Sequence, residues 1–434
     1  MSNFQTILVG IFIAFFVFAV LIFSGLIKIG GSSNSASAPV GKVVVWGTFS
    51  NPELLKVFSD TSGANKDLII NYVKKDESSY EQSLIEAFAS GTGPDLFLIT
   101  PAMIQKFENF AYKIPYASYP QKTFTDSFIN GADVYLASDG VIGLPIVVDP
   151  MVMYYNKDLL SNEGISEPPS YWDELFNLNS ALTKKQNNGT ILQSMIALGR
   201  YDNINNAKEI LSTLLLQSGN AIVERTATGY APILNGSSSS SSISPFATIL
   251  NFFTEFSNPT DSAYSWNSAL PNSIDMFTGG KLALYLGYAS ELFKIQSTNP
   301  NLSFDVAQML QTRNSPNKRT YGNIYAIAVN KRSANITAAF GLAGILSSGD
   351  TASNFAAAVS LPPASKALLA NRPTDPYLFT FFNSAIISRT WLDPDSVKSD
   401  AIFSELIQNI LSSKLSVDDA INKAQNELEL ITKK

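Results

Sequence analysis

At 434 residues the chain is too long for one ordinary hydrophobic core, so two domains or lobes are expected. Its 30 Lys and Arg against 36 Asp and Glu give a net charge of −6 with no basic cluster, which argues against a nucleic-acid partner. The absence of Cys and His excludes disulfides, thiol nucleophiles, Ser-His-Asp triads, imidazole acid–base chemistry and zinc sites built on those side chains.

Met1 to Ile27 carries no charged side chain. From Phe4 onward the run is about 24 mostly apolar residues, enough to span ~30 Å of hydrocarbon. A cleaved signal peptide ending at Ala36-Ser37-Ala38 competes with that reading, but the run is long for one, lacks a basic start, and Pro39 would follow the cut. An uncleaved transmembrane helix over 4–27 is therefore expected, with a flexible Gly- and Ser-rich linker over 28–40.

Val43-Val44-Val45-Trp46 reads as a β-branched strand ending at Gly47-Thr48-Phe49-Ser50. Asn51 can cap the next helix, with Pro52 in its first position and Leu54, Leu55 and Phe58 on its inner face. Leu68 to Val73 is a second strand. Ser79 and Gln82 form a capping box for a helix through Leu84, Ile85 and Phe88, closed by Gly91. Gly93-Pro94-Asp95 then turns into the strand Leu96 to Ile99, and Asp95 is expected to fix that turn through backbone hydrogen bonds. Strands alternating with helices predict an α/β fold with a parallel sheet. Ligands gather beyond the carboxyl ends of such strands, which picks out Trp46 to Ser50 and Thr100-Pro101.

Leu144 to Val148 is a buried strand, and Asp149-Pro150 follows it directly. A carboxylate among apolar residues must reach water or a polar partner, so either a cleft wall or a plain turn accounts for Asp149. A second strand, Met151 to Tyr155, runs into a helix start at Asn156-Lys157-Asp158. Ser170 and Asp173 make another capping box, and Trp172 shares a helix face with Leu175, Phe176 and Leu182, which places it in the core. Tyr201 falls on a connecting loop, and Ser237 to Ser242 form a surface loop. Phe246 to Phe256 is a helix broken by Asn258-Pro259, leaving Trp266 in the irregular stretch beyond. A strand over Ala326 to Val329 and a helix over Phe340 to Leu346 follow. Trp391 stands on a loop before Asp393-Pro394. Two amphipathic helices close the chain, the second capped by Ser416 and Asp419.

Several stretches, in order, resemble one known family. They are Gly91-Thr92-Gly93-Pro94-Asp95; Leu144-Pro145 with Asp149 and Tyr154-Tyr155-Asn156-Lys157-Asp158-Leu159-Leu160; Pro168-Pro169-Ser170-Tyr171-Trp172-Asp173-Glu174-Leu175; and Phe277 with Gly280-Lys281 and Ala283. Together they resemble the extracellular solute-binding proteins of ABC importers, in the maltose-binding-protein-like group of carbohydrate binders. The resemblance runs from about Lys42 to the end. It implies a two-lobed, type II periplasmic-binding-protein-like α/β fold with an interlobe hinge, behind the N-terminal transmembrane helix. Lobe 1 would comprise 41–148 and 326–374, and lobe 2 would comprise 149–325 and 375–434. The residue matching Asp149 faces the sugar in that family, Tyr288 matches an aromatic delivered to the pocket, and Tyr321 to Tyr325 resembles the return crossing. Related importers of Gram-positive bacteria usually hold this protein by a lipidated Cys. Here no Cys exists, and the helix would take over that role.

Trp46, Trp266 and Trp391 all fall at strand ends or on loops. An aromatic side chain buries 150–250 Å², so it either serves as a stacking surface for a sugar ring or plugs the gap where a loop meets its sheet. Trp46 is the weakest of the three, since a strand residue can point inward. The candidate ligand contacts are Trp46, Thr48, Asp149, Tyr201, Trp266, Tyr288 and Trp391. No catalytic residue, metal or cofactor is expected. The expected partners are a small carbohydrate ligand, ABC permease subunits and the membrane that holds the helix, with a monomeric body on the extracytoplasmic side. A glycoside hydrolase using Asp133, Asp139 and Asp149 is the enzymatic alternative, although no pair has a spacing that demands catalytic geometry. A tethered sugar sensor on the same fold is the other. Gly279-Gly280-Lys281 lacks the remainder of a nucleotide-binding loop.

Overall fold

The computed structural model describes residues 40–226, 229–234, 244–316 and 318–433. The expected transmembrane helix over 4–27, the linker up to residue 39 and the serine run 237–242 lie outside the described residues. Among the described residues no helix is long and apolar enough to cross a membrane.

Twelve strands are described: β1 (Gly41–Gly47), β2 (Leu68–Lys74), β3 (Leu96–Ile99), β4 (Leu144–Asn156), β5 (Lys184–Lys185), β6 (Ile191–Ile196), β7 (Val223–Thr226), β8 (Gly229–Pro232), β9 (Leu282–Tyr288), β10 (Phe304–Gln308), β11 (Thr320–Val329) and β12 (Ser388–Arg389). Ten of them form one mixed sheet in the order β2-β1-β3-β11-β4-β9-β6-β5, with β10 on β4 and β12 on β11, while β7 and β8 make a separate hairpin.

The opening units form as their residues dictate. β1 runs parallel to both β2 and β3. Helix Pro52–Ala64 starts where Asn51 Oδ1 accepts the Leu54 N–H at 2.6 Å, and helix Tyr80–Ser90 ends at Gly91, whose φ of +74° suits a residue without Cβ. The box expected on Ser79 does not form. A 3₁₀ turn over Glu77–Ser79 runs straight into the helix, so the Ser79 hydroxyl makes no cap hydrogen bond. The turn at Ser170 depends on Glu174 rather than Asp173, its carboxylate accepting the N–H groups of Ser170 (2.8 Å) and Tyr171 (3.2 Å). Asp95 is structural, accepting from the Val44 N–H at 2.8 Å and the Ser333 hydroxyl at 2.5 Å. Trp172 is buried, its Nε1 donating to Gln217 Oε1 at 2.8 Å.

β4 is one 13-residue strand where the sequence predicts two. Pro150 is tolerated because it falls where β4 changes partners. Leu144 to Pro150 pair with β11, and Met151 to Tyr155 pair with β9. That exchange divides the sheet into two lobes, as the resemblance implies. One gathers β2, β1, β3 and the first half of β4. The other gathers the second half of β4 with β9, β6, β5 and β10. On the first, helix Ile336–Ser347 packs on β1, β4 and β11, and Gly349–Ala358 packs on Pro52–Ala64. On the second, helices Ala207–Gln217, Pro245–Glu255, Ser396–Leu411 and Val417–Thr432 pack on one another. β4 and β11 are the long strands that pass between the lobes. The buried Tyr135 hydroxyl braces this region, 3.0 Å from Ile99 O and 2.6 Å from Ile324 O. At Gly322 the backbone comes so near β12 that a Cβ would lie 2.7 Å from Ser388 Oγ, so a side chain there would displace one strand.

Candidate functional site

A cavity of ≈ 260 Å³ opens between the lobes. The first lobe contributes Thr48, just past β1, together with Glu77, Tyr80, and Leu98 and Thr100 at the end of β3. These are carboxyl ends of parallel strands, where loops leave backbone and side chains uncovered. β11 contributes Tyr321, Asn323 and Tyr325, which share one face because side chains alternate along a strand. The second lobe contributes Tyr288 at the end of β9, Lys208 and Glu209 from the first turn of helix Ala207–Gln217, and Asp393 and Ser396 at the start of helix Ser396–Leu411.

Tyrosines supply the aromatic surface. Tyr325 packs on Phe49 with ring centroids 4.9 Å apart, and Tyr288 meets Tyr321 edge-on at 6.4 Å. Tyr80 is fixed by its hydroxyl, 2.9 Å from Leu98 O. Burial pushes the hydroxyls of Tyr288, Tyr321 and Tyr325 above the usual phenol range, and nearby carboxylates add to the effect. They therefore stay protonated, each able to donate and to accept.

The charged groups differ in how well they are matched. The Lys208 ammonium donates to Asp393 Oδ2 (2.9 Å), Ser396 O (3.1 Å) and Ser399 Oγ (3.1 Å), which uses its three donors. Burial alone would lower the Lys208 pKa, but Asp393 and Glu209 hold it above the ordinary lysine value. Burial raises the Glu209 carboxyl, with Lys208 opposing. Asp149 sits opposite Asn323 in the β4–β11 register, so its side chain lies on the cavity face of the sheet. It is buried, and its Oδ1 accepts the Ser290 N–H at 3.0 Å. Burial pushes its carboxyl up to about 7, with Ser290 opposing and Glu291 and Glu77 adding.

Around the rim the lobes touch through the short helix Ile104–Phe107 and the residue after it. Lys106 Nζ lies 2.6 Å from Glu81 Oε2 and 3.7 Å from Asp395 Oδ2 across the cleft. Glu108 Oε2 pairs with Arg225 Nη1 at 2.8 Å, and Gln105 Nε2 donates to Thr432 O at 2.8 Å.

The structure brings together only part of the expected set. Thr48 and Tyr288 line the cavity, and Asp149 lies beneath it. Trp46 is half-buried beside it under the Lys75 ammonium, 3.7 Å from the ring centroid, and is outside the lining. Tyr201 is on a loop as expected, but its hydroxyl donates to Asp400 Oδ1 at 2.5 Å and fastens that loop to helix Ser396–Leu411. Trp266 and Trp391 are core residues. Trp266 is fully buried with Nε1 donating to Asn203 Oδ1 (2.9 Å), and Trp391 lies under Phe403 with Nε1 donating to Ser212 Oγ (3.1 Å). Both fill the gap where a loop meets the fold, and each indole N–H finds its partner inside the protein. Asp139 pairs with Lys113 at 3.0 Å, and neither it nor Asp133 lines the cavity. Sequence reasoning missed Tyr80, Tyr321, Asn323, Tyr325, Lys208, Glu209 and Asp393. The alternating polar and aromatic residues of Tyr321-Gly322-Asn323-Ile324-Tyr325 are the signal that could have found three of them.

A family model described as bacterial extracellular solute-binding protein matches residues 63–348. A putative binding protein of Brucella abortus is 36% identical over 95 residues, 22% of this chain and 23% of that protein. The maltotriose-binding protein of Pyrococcus abyssi is 28% identical over 146 residues, 33% of this chain and 31% of that protein. The match therefore spans less than a third of either relative. The crystal structure of cyclic alpha-maltosyl-1,6-maltose binding protein from Arthrobacter globiformis superposes with a TM-score of 0.73 at 17% identity, covering 91% of this chain and 99% of that one. At that identity the likeness is one of fold.

Proposed function

The chain belongs to the bacterial extracellular solute-binding protein family, whose members bind solutes and are not enzymes, and from that premise we propose that it captures a sugar or oligosaccharide in the interlobe cavity and delivers it to an ABC permease. Lobe 1 is residues 41–148 with 326–374, and lobe 2 is 149–325 with 375–434. β4 and β11 form the hinge between them. The observation that carries the reading is the tyrosine-faced cavity where those strands cross. Sugar C–H faces stack on aromatic rings, while protonated tyrosine hydroxyls, Thr48, Thr100 and Asn323 exchange hydrogen bonds with sugar hydroxyls. Thr48 and Tyr288 touch the ligand, and Asp149 supports the strand face on which it rests. The maltotriose-binding and cyclic alpha-maltosyl-1,6-maltose-binding relatives support a saccharide cargo.

A ligand that touches both lobes shifts the population toward the closed form by its greater affinity for that form. Permease subunits then recognise closure. The apolar run over 4–27 holds the body at the extracytoplasmic surface through the 28–40 linker, taking the place of a lipidated Cys. Thermal-shift measurements on the full chain in mild detergent, against a panel of oligosaccharides, test the cargo. A ligand at about 100 times its Kd adds roughly 2.7 kcal/mol of stability. Stabilisation by peptides, with no response to any saccharide, overturns the proposal.

A further inference from the structure

We propose that the cargo carries a protonated amine, so that the cavity selects an amino-substituted sugar over its neutral counterpart. This inference rests on the saccharide reading above and adds the charge of the ligand. It follows from how the carboxylates of the cavity are matched. Four of them line it: Glu77, Glu81, Glu209 and Asp393. Glu81 is matched by Lys106 at 2.6 Å and Asp393 by Lys208 at 2.9 Å. Lys208 is the one cation in the lining, and its three N–H donors are all engaged within the protein. Among the described residues, no ion pair reaches Glu77 or Glu209, and Glu209 has only the partial influence of the neighbouring Lys208, whose donors are engaged elsewhere.

Those two carboxylates come from opposite lobes. Glu77 stands on the 3₁₀ turn Glu77–Ser79 of the first, and Glu209 on helix Ala207–Gln217 of the second. Closing the cleft brings two like charges toward one enclosed, partly desolvated space, which opposes closure until a cation enters. Tyr288, Tyr321 and Tyr325 line the same cavity as these two carboxylates. An ammonium group between them gains charge-assisted hydrogen bonds on both sides and lies against tyrosine faces that favour a cation. A neutral sugar hydroxyl offers only the weaker, uncharged hydrogen bond. The matched pairs leave the wall acidic, so the same argument rejects anionic cargo.

Calorimetry on the full chain at pH ~6 tests this with glucosamine oligomers, the N-acetylated oligomers of the same length, and maltooligosaccharides. The free-amine oligomer is expected to bind about tenfold or more tightly than either neutral series, a preference that shrinks as salt is added. In Glu77→Gln or Glu209→Gln that ratio of affinities falls toward one. Glu77 is exposed on a turn, so its variant folds even if the helix variant does not. Neutral oligosaccharides binding as tightly as the amine, or a preference that survives both substitutions, overturns the inference and leaves the saccharide reading intact. Failure of all three series to bind overturns the inference, and the saccharide reading falls with it only when the wider oligosaccharide panel is silent and peptides stabilise the chain.

Discussion

Replacing Asp149 by Asn should stabilise the protein in a pH-dependent way. Asp149 is buried, meets the Ser290 N–H at 3.0 Å, and has its carboxyl pushed from 3.8 to about 7, chiefly by burial. In the unfolded chain it ionises near its ordinary value. Between those two pH values the folded state holds a proton that the unfolded state has lost, so stability falls as pH rises from about 4 and levels off above about 7. Each tenfold change in acid constant is worth 1.36 kcal/mol, so the full rise costs up to about 4 kcal/mol at pH ~8. Asn keeps an oxygen for Ser290 and removes the titration. With an unfolding entropy of about 2.1 cal/mol/K per residue, that gain corresponds to roughly 5 °C in Tm for a chain of this length. Melting curves of both proteins from pH ~4 to ~8 should show the gap open with pH. A difference in Tm that stays constant across that range would show that Asp149 titrates as an ordinary exposed carboxyl, and would refute the burial argument.

Trp266→Ala should cost about 3–5 kcal/mol of stability, read by denaturant unfolding, while ligand Kd in the folded fraction stays the same. Tyr288→Ala should do the reverse, weakening ligand binding about tenfold with a smaller loss of stability, read by calorimetry. Lys208→Met leaves the Asp393 carboxylate buried without its cation and should cost about 3–5 kcal/mol, with Asp393→Asn in the same chain recovering part of it. Arg225→Ala removes a partly exposed rim pair worth about 1 kcal/mol or less, so small-angle scattering should show the unliganded protein more open and the liganded protein unchanged.

The elements were legible wherever local chemistry decides them. Asn51 and Pro52 start a helix and Gly91 ends one whatever surrounds them, and both features appear as read. The Ser79 box failed because a preceding turn took the same residues, which is a competition between neighbouring segments and not a property of the four-residue pattern. The site was less legible for a similar reason. A tryptophan on a loop has the same sequence appearance whether a ligand or a helix covers it. In Trp266 and Trp391 the cover is the protein itself, through Asn203 and Ser212. Lys208, Glu209 and Asp393 come from segments distant in sequence and meet only because helices Ala207–Gln217 and Ser396–Leu411 pack together. No spacing in the chain records that contact. Tyr321, Asn323 and Tyr325 were within reach, because polar and aromatic residues at every second position mark one wet face of a strand.

The same strand that carries those three side chains also passes between the lobes, and this joins ligand contact to closure. A ring resting on Tyr321 and Tyr325 would bear on β11, whose Ala326–Val329 end pairs with β3 and whose Thr320–Tyr321 end pairs with β12, so ligand contact is coupled to the relative position of the two lobes of the sheet. The rim contacts of Lys106 and Arg225 favour the closed form, but each is partly solvated and worth about 1 kcal/mol or less. Moving an equilibrium from mostly open to mostly closed takes about 5.5 kcal/mol of differential affinity. The rim pairs alone fall short of that, and the opposed carboxylates of Glu77 and Glu209 work against them. Closure is thus left to depend on what fills the cavity, which is what the proposed delivery of a bound solute requires.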